Sequence, residues 1–281
     1  MATSACNRGP QGNSVTDPIR VAVFGASGRM GLAVMRAAVA TPRTQLVAAL
    51  VRDHSANADT VVPVLHGSDA EAMRFSESLD VTTDVLIDFS AANAFDHALA
   101  IALERKIALV SGTTGLSEMQ RNALHAAAQQ IPVLWASNFS LGIAMLTRLA
   151  RDAAKALADW DCEIGEAHHR HKLDAPSGTA LSIGDAIATA RGNTLDDSAV
   201  YARTAKSAAR KTGEIGFSVV RGGDIIGEHT VLLIGEGERI ELTHRAQSRD
   251  IFAAGAVRAA AWLAGRTAGF YTIENMLGLR G

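Results

Sequence analysis

The sequence predicts an α/β protein in two parts: a doubly wound, parallel-sheet domain and a smaller α+β domain with a mainly antiparallel sheet. Three observations carry this prediction. Strand-like and helix-like segments alternate from residue 19 to about residue 139. The first strand runs through a glycine-rich turn straight into a helical pattern. Beyond residue 160 the apolar spacing changes to alternation, with turn signals between short strands.

The 281 residues and 48% hydrophobic content allow two cores and exclude disorder over most of the chain. A net charge of −2 supplies no general attraction to nucleic acid or anionic membrane. No apolar run reaches the length of a membrane span. The two cysteines, Cys6 and Cys162, form neither a metal spacing nor a disulfide framework, so a cytoplasmic location is expected. Residues 1–18 read as a disordered extension that lacks the apolar stretch of a signal peptide.

Ile19 to Phe24 reads as a buried strand and Leu32 to Val39 as a helix. Between them stands Gly25-Ala-Ser-Gly28-Arg-Met-Gly31. Gly25 permits the tight turn, Gly28 lets the backbone approach a pyrophosphate, and Gly31 lets helix and strand pack closely. The spacing is GxxGxxG rather than GxGxxG, and a βα turn without a ligand has the same outline. Strand, turn and helix together favour a Rossmann-like dinucleotide site. The second strand, Leu46 to Val51, ends in Arg52-Asp53. A carboxylate at that point takes the ribose hydroxyls of NAD, whereas an arginine suits the extra phosphate of NADP. Val51 accepts no hydrogen bond, Asp53 stands late, and Arg52 is available with Arg29 as a second cation, so NADPH is expected over NADH.

Residues 54–80 are polar and irregular, with weak strand signals around Val61 to Leu65. Further strands are expected at 84–88, 107–110 and 131–135, separated by helices over 91–105 and 117–129. Their carboxyl ends carry Asp88-Phe89-Ser90, Gly112-Thr113-Thr114 and Ala136-Ser137-Asn138-Phe139. Ligands of such sheets bind beyond these ends, and small, hydroxyl and amide residues there suit a nicotinamide ribose and carboxamide. Residues 141–159 form an apolar helix leading into the second domain. Trp160 to Glu166 alternates like a half-buried strand, and a helix follows at 178–190. Strands 213–220 and 225–234 are expected to pair as a hairpin through Arg221-Gly-Gly-Asp224. A strand at 238–244 and a helix at 251–263 complete the pattern.

The chemistry concentrates in Glu166-Ala-His-His-Arg-His-Lys-Leu-Asp-Ala-Pro-Ser-Gly-Thr-Ala180. Three histidines, an arginine and a lysine fall within His168 to Lys172. Ser177, or Thr179 if the helix starts later, is a good N-cap, and free N–H groups at a helix N-terminus suit a carboxylate or phosphate. Glu166 and the histidines raise the question of zinc, but no recognised ligand spacing is completed and Arg170 and Lys172 repel a cation. No metal is expected. Acid–base work fits better: histidine titrates near neutral pH, and lysine donates a proton when neighbouring cations depress its pKa.

This segment resembles the signature of the 4-hydroxy-tetrahydrodipicolinate reductases, also called dihydrodipicolinate reductases. The glycine turn, Ile87-Asp-Phe-Ser90, Gly112-Thr-Thr-Gly115, Ser137-Asn-Phe-Ser140, Gly227-Glu-His-Thr230 and Thr243-His-x-Ala-x-Ser-Arg249 resemble the family too. The resemblance spans about residues 19–281. It implies reduction of the hydroxylated precursor to tetrahydrodipicolinate with NADH or NADPH, a step of diaminopimelate and lysine biosynthesis. It implies His168 as proton donor or acceptor, Lys172 as proton donor, and His169 with the Gly178 and Thr179 backbone as substrate-binding residues. Implied cofactor contacts are Gly25, Ala26, Ser27, Gly28, Arg29 and Met30, then Gly112, Thr113 and Thr114, then Ala136, Ser137, Asn138 and Phe139. The family's acidic residue near the adenine ribose is replaced by Val51, while its arginine persists as Arg52. A homotetramer joined through C-terminal sheets is implied, without membrane or nucleic-acid partners. So is a division into a dinucleotide-binding domain (19–138 and 249–281) and a substrate and tetramerisation domain (139–248), hinged near 138–141 and 247–250. Two competing readings are an aspartate-type amino-acid dehydrogenase and a non-catalytic NAD(P)H sensor.

Overall fold

The computed structural model describes residues 17–279 apart from 66, 69 and 71. Residues 1–16 of the expected N-terminal extension lie outside the described residues. The chain begins with β1 (Ile19–Phe24), α1 (Arg29–Val39), β2 (Thr44–Leu50) and β3 (Phe75–Ser76). Next come β4 (Val85–Asp88), α2 (Phe95–Arg105), β5 (Ala108–Ser111), α3 (Glu118–Ala127) and β6 (Pro132–Trp135). All pairings among these strands are parallel, in the order β6-β5-β4-β1-β2-β3. The chain winds one way from β1 to β3 and the other way from β4 to β6. The switch point therefore lies between β1 and β4, where such sheets bind ligands.

The central strands β1, β4 and β5 are buried on both faces, and their side chains alternate between two cores. Val21 and Val23 face one core, with α1 residues Val34, Met35 and Ala38. Ala22 and Phe24 face the other, with Phe95 and Leu99 of α2 and Leu124 of α3. Local chemistry starts the helices on time. Ser117 and Gln120 form a reciprocal capping box at α3, and Ser140 caps the next helix, α4 (Leu141–Ala156). The weak strand signal near Val61 resolves into a single bridge from Val61 to Arg74, while Val62 and Leu65 are buried against the sheet edge.

After α4 come β7 (Asp161–His168), α5 (Gly178–Ala190), α6 (Leu195–Ser198), β8 (Ala199–Val200), β9 (Ile215–Arg221), β10 (Gly227–Ile234) and β11 (Arg239–Ala246). They build a second sheet in the order β11-β10-β7-β9-β8. The long β10–β11 and β10–β7 ladders are antiparallel, and β9 runs parallel to β7 and β8. This corrects the expected hairpin: β9 and β10 do not pair with each other but flank β7 on either side. The strictly alternating β7 buries Cys162, Ile164, Glu166 and His168 on one face and requires a partner along each edge. The five residues between β9 and β10 readily cross the two strand spacings, about 10 Å. The core of this part unites α4 and α5 with the inward faces of β7, β9 and β10.

The chain then returns. Helix α7 (Asp250–Leu263) packs on the first sheet through Ala253, Ala256, Val257 and Ala260, in the core shared with α1. Strand β12 (Gly269–Tyr271), which no sequence pattern announced, extends that sheet beside β6, and α8 (Ile273–Met276) follows.

Candidate active site

The carboxyl ends of β4, β5 and β6 meet the end of β7 and the start of α5 across a cavity of about 340 Å³. From the first sheet Met30, Phe89, Gly112 and Ser137 to Phe139 line it. From the other side come His168, His169, Lys172, Thr179, Gly227, His229 and His244, with Arg249 at the rim. Residues from both sequence-predicted groups, catalytic and cofactor-binding, thus share one space.

The glycine turn has the expected build. Gly25 sits at φ +75°, and a Cβ there would approach the Phe89 carbonyl to 2.8 Å. At Gly31 a Cβ would lie 2.3 Å from the Gly25 carbonyl oxygen. Gly28 is the N-cap of α1 and offers no side-chain acceptor, so the first-turn N–H groups are left for a ligand. This is a cradle in which side chains are excluded by contact, and it fits a dinucleotide pyrophosphate. Arg29, Arg52 and Asp53 are exposed, whereas Val51 is buried in the core and faces no solvent.

Asp88 organises the neighbouring strand ends from a fully buried position. It accepts from Ser111 Oγ (2.8 Å), Thr113 Oγ1 (2.8 Å) and the Ser90 N–H (2.9 Å). Thr113, 1% exposed, therefore spends its hydroxyl inside the protein, and its carbonyl accepts from Trp135 Nε1 at 2.9 Å. Asn138 bridges the two sides, donating to Thr179 Oγ1 at 3.1 Å.

The substrate side is built around a carboxylate. Glu166, on β7, has a fully buried side chain. Its Oε2 lies 2.6 Å from His168 Nδ1 and 2.8 Å from Arg221 Nη1. Its Oε1 accepts from Arg221 Nη2 (2.8 Å) and the Ser177 N–H (2.9 Å). A carboxylate can only accept, so His168 carries its proton on Nδ1 and leaves Nε2 for chemistry. Burial opposes the charge on Glu166, but Arg221, His168 and the Ser177 N–H outweigh it and hold the carboxyl below its ordinary pKa. A Cβ at Gly227 would come within 3.0 Å of His168 Nε2, so the glycine keeps that edge of the ring open.

Ser177 caps α5, its Oγ accepting from the Ala180 N–H at 3.2 Å, and the same hydroxyl lies 3.1 Å from His229 Nε2. His229 is 3% exposed and stands edge-on to His168, with ring centroids 5.2 Å apart. Desolvation, then the neighbouring His168, pushes its pKa down to about 4, so the ring is neutral near pH 7. Desolvation, followed by the charges of Arg249, His171, His168 and Lys172, also lowers His169. Lys172 reaches Asp174 at 2.8 Å, and that contact leads the causes that depress the Asp174 carboxyl. Among the described residues no group of three or more His, Cys, Asp or Glu side chains converges as a metal site would, and no helix is long and apolar enough to cross a membrane.

The residues point to hydride chemistry on an anionic substrate, and comparison with known proteins gives the family. A model of the dihydrodipicolinate reductase N-terminus matches residues 19–139, and one of the C-terminus matches residues 142–277. The chain belongs to the dihydrodipicolinate reductase family. The 4-hydroxy-tetrahydrodipicolinate reductase of Pseudoalteromonas translucida is 46% identical over 263 residues, covering 93% of this chain and 98% of that protein. That of Acinetobacter baumannii is 47% identical over 264 residues, covering 92% and 96%. The dipicolinate-bound dihydrodipicolinate reductase of Paenisporosarcina sp. TG-14 superposes with a TM-score of 0.71 at 24% identity, covering 92% of this chain and 99% of that one; this likeness is one of fold. An aspartate semialdehyde dehydrogenase of Vibrio cholerae shares the fold more distantly, with a TM-score of 0.54 at 9% identity. Family membership makes the chain an NAD(P)H-dependent oxidoreductase and leaves the sensor and aspartate-type readings without support.

His229, His244 and Arg249 line this cavity and Arg221 supports it through Glu166, yet the sequence reading names none of the four as functional and offers Glu166 only as a metal-ligand candidate. One signal was available: Gly227, His229, Val231 and Leu233 alternate inward along β10, and a histidine in an apolar register marks a polar cavity.

Proposed function

We propose that this chain reduces 4-hydroxy-tetrahydrodipicolinate to tetrahydrodipicolinate in diaminopimelate and lysine biosynthesis, with NADPH preferred over NADH. One hydride and one proton are consumed and one water leaves. The carrying observation is the single cavity where the nucleotide-side residues Met30, Gly112 and Asn138 face His168, Lys172 and the N-terminus of α5.

The reduced nicotinamide, when bound, supplies the hydride. Gly25 to Met30 would hold the pyrophosphate, and Gly112 to Thr114 with Ala136 to Phe139 would position the nicotinamide end. Arg52, with Arg29, would take the 2′-phosphate, since Val51 is buried and apolar and competes for no ribose hydroxyl. In the substrate half, the backbone N–H groups of Gly178 and Thr179 face one carboxylate with the favourable end of α5, and His169 contributes a further donor. Lys172 Nζ delivers the proton; His168 Nε2 accepts or returns one while Glu166 supports the Nδ1–H.

We place residues 19–138 and 249–281 in the dinucleotide-binding domain and 139–248 in the substrate and assembly domain. Val220, a half-exposed apolar side chain on the outward face of the second sheet, supports assembly into a homotetramer through that face. A soluble cytoplasmic enzyme acting on a small dicarboxylate, with no nucleic-acid or membrane partner, completes the reading.

The test is a coupled assay. Dihydrodipicolinate synthase generates the substrate from pyruvate and aspartate semialdehyde, and nicotinamide absorbance is followed with each cofactor. Oxidation that depends on the synthase and is faster with NADPH is expected. No oxidation from folded protein that still binds NADPH would overturn the proposal.

A further inference from the structure

Glu166 distributes its hydrogen bonds symmetrically: each oxygen takes one Arg221 nitrogen and one functional group. Oε2 holds the His168 ring, and Oε1 holds the Ser177 N–H at the start of α5. The proton-handling ring and the helix end that would cradle a carboxylate therefore hang on the same side chain. Arg221 extends the arrangement, because its Nη2 also donates to the Asp174 carbonyl at 2.6 Å. Asp174 is the residue whose carboxylate pairs with Lys172. One guanidinium thus reaches all three parts of the site: the ring through Glu166, the cradle through Glu166, and the lysine loop through Asp174.

We infer that Arg221 and Glu166 are positioning residues that lock His168, the N-terminus of α5 and the Lys172 loop into one rigid unit. This inference rests on the reductase reading for its kinetic test. The planar guanidinium meets both Glu166 oxygens and the Asp174 carbonyl with a fork of donors that an ammonium lacks. Glu166, held in that fork, keeps one oxygen on the His168 ring and the other on the Ser177 N–H. Losing Arg221 leaves the buried carboxylate without its cation, so Glu166 shifts and the ring and the start of α5 shift with it.

The test compares wild type, Arg221→Met and Arg221→Lys in the coupled assay, with NADPH affinity measured separately by fluorescence. For Arg221→Met kcat is expected to fall on the order of 10²-fold, as for a misplaced reacting group. KM for the dicarboxylate should rise, because the end of α5 moves with Glu166, while NADPH affinity stays within about twofold of wild type. Arg221→Lys, which keeps the charge but not the fork, should recover only part of kcat. Unchanged kcat and KM in Arg221→Met, an NADPH affinity that falls in step with kcat, or a lysine variant no better than the methionine one would overturn the inference. Removing one partner of a buried ion pair is destabilising, so a measurement on wild type stands beside the variants. In 15N NMR of histidine-labelled protein, neutral His168 should be protonated at Nδ1; protonation at Nε2 would overturn the inference even if no variant folds. This tautomer readout needs no turnover, so an inactive wild type would sink the reductase reading without deciding the positioning role.

Discussion

Two helices in this molecule begin where an anion is expected, and they are built in opposite ways. At α1 the cradle is made by leaving side chains out: Gly25, Gly28 and Gly31 stand where backbone approaches backbone, and no side chain caps the helix. At α5 the cradle is made by putting side chains in: Ser177 caps the helix and is itself held by Glu166 and His229. The first is suited to a constant, extended diphosphate that needs close approach and no proton. The second is suited to a small substrate that must be both bound and protonated, so its donors are wired to titratable groups. Glycine contacts make the first cradle intolerant of added atoms, whereas the second has open space in front of it.

The sharpest way to break this comparison is to add one methyl group to each cradle. Gly31→Ala places a Cβ 2.3 Å from the Gly25 carbonyl, where only backbone can yield. Overpacking of this kind costs about 1–3 kcal/mol. We expect a fall in thermal midpoint together with a loss of NADPH affinity on the order of 10²-fold, the loss that follows when reacting or binding groups move by an ångström. Gly178→Ala is the counterpart, since a Cβ there meets nothing within 4 Å. It should fold like wild type and bind NADPH equally well, while KM for the dicarboxylate rises. Equal damage from both substitutions, read by thermal melting and cofactor titration, would abolish the distinction.

Acid should also tell the two halves apart. His229 is neutral when folded, with a pKa near 4 against an ordinary value of 6.5. Below pH 6.5 the unfolded chain binds a proton that the folded one refuses, so stability falls between pH 6.5 and 4 and then levels. The difference of 2.5 units corresponds to roughly 3 kcal/mol at 1.36 kcal/mol per unit. Glu166, held below its ordinary value, adds a loss at lower pH, as the folded carboxyl takes up its proton. Denaturant melts at pH 7 and pH 4.5 should show this loss in wild type and a much smaller one in His229→Gln. An identical slope in both proteins would remove His229 from the account.

The smallest effect concerns the edge of the nucleotide site. Arg52→Ala should raise KM for NADPH about tenfold, the worth of one exposed charge-assisted contact at about 1.4 kcal/mol, and leave NADH unchanged. An equal rise for both cofactors would mean that Arg52 does not read the 2′-phosphate.

The same contrast explains what was legible in the sequence. The glycine cradle is local: Gly25 to Gly31 sit between one strand and one helix, and their spacing alone announces the turn. The segment from His168 to Lys172 is equally local, and so is the Ser177 cap. What holds those groups is not. Arg221 meets Glu166 across 55 residues of sequence, and His229 meets Ser177 across 52. Both contacts depend on β9 and β10 lying on opposite sides of β7. The turn residues at 221–224 suggested the reverse, because a turn signal specifies a change of direction and not the neighbour a strand finds. Strand β12 was missed for a related reason: three residues along a sheet edge carry no periodicity of their own.

The most direct test of the division between the two cradles is Lys172→Ala, with kcat and the NADPH dissociation constant measured on the same preparation. On the proposed division, in which Lys172 acts on the substrate alone, NADPH affinity should stay within about twofold while kcat falls on the order of 10²–10⁴-fold, as for loss of a general acid. An unchanged kcat, or an affinity that drops in proportion to kcat, would contradict the separation of cofactor binding from proton delivery.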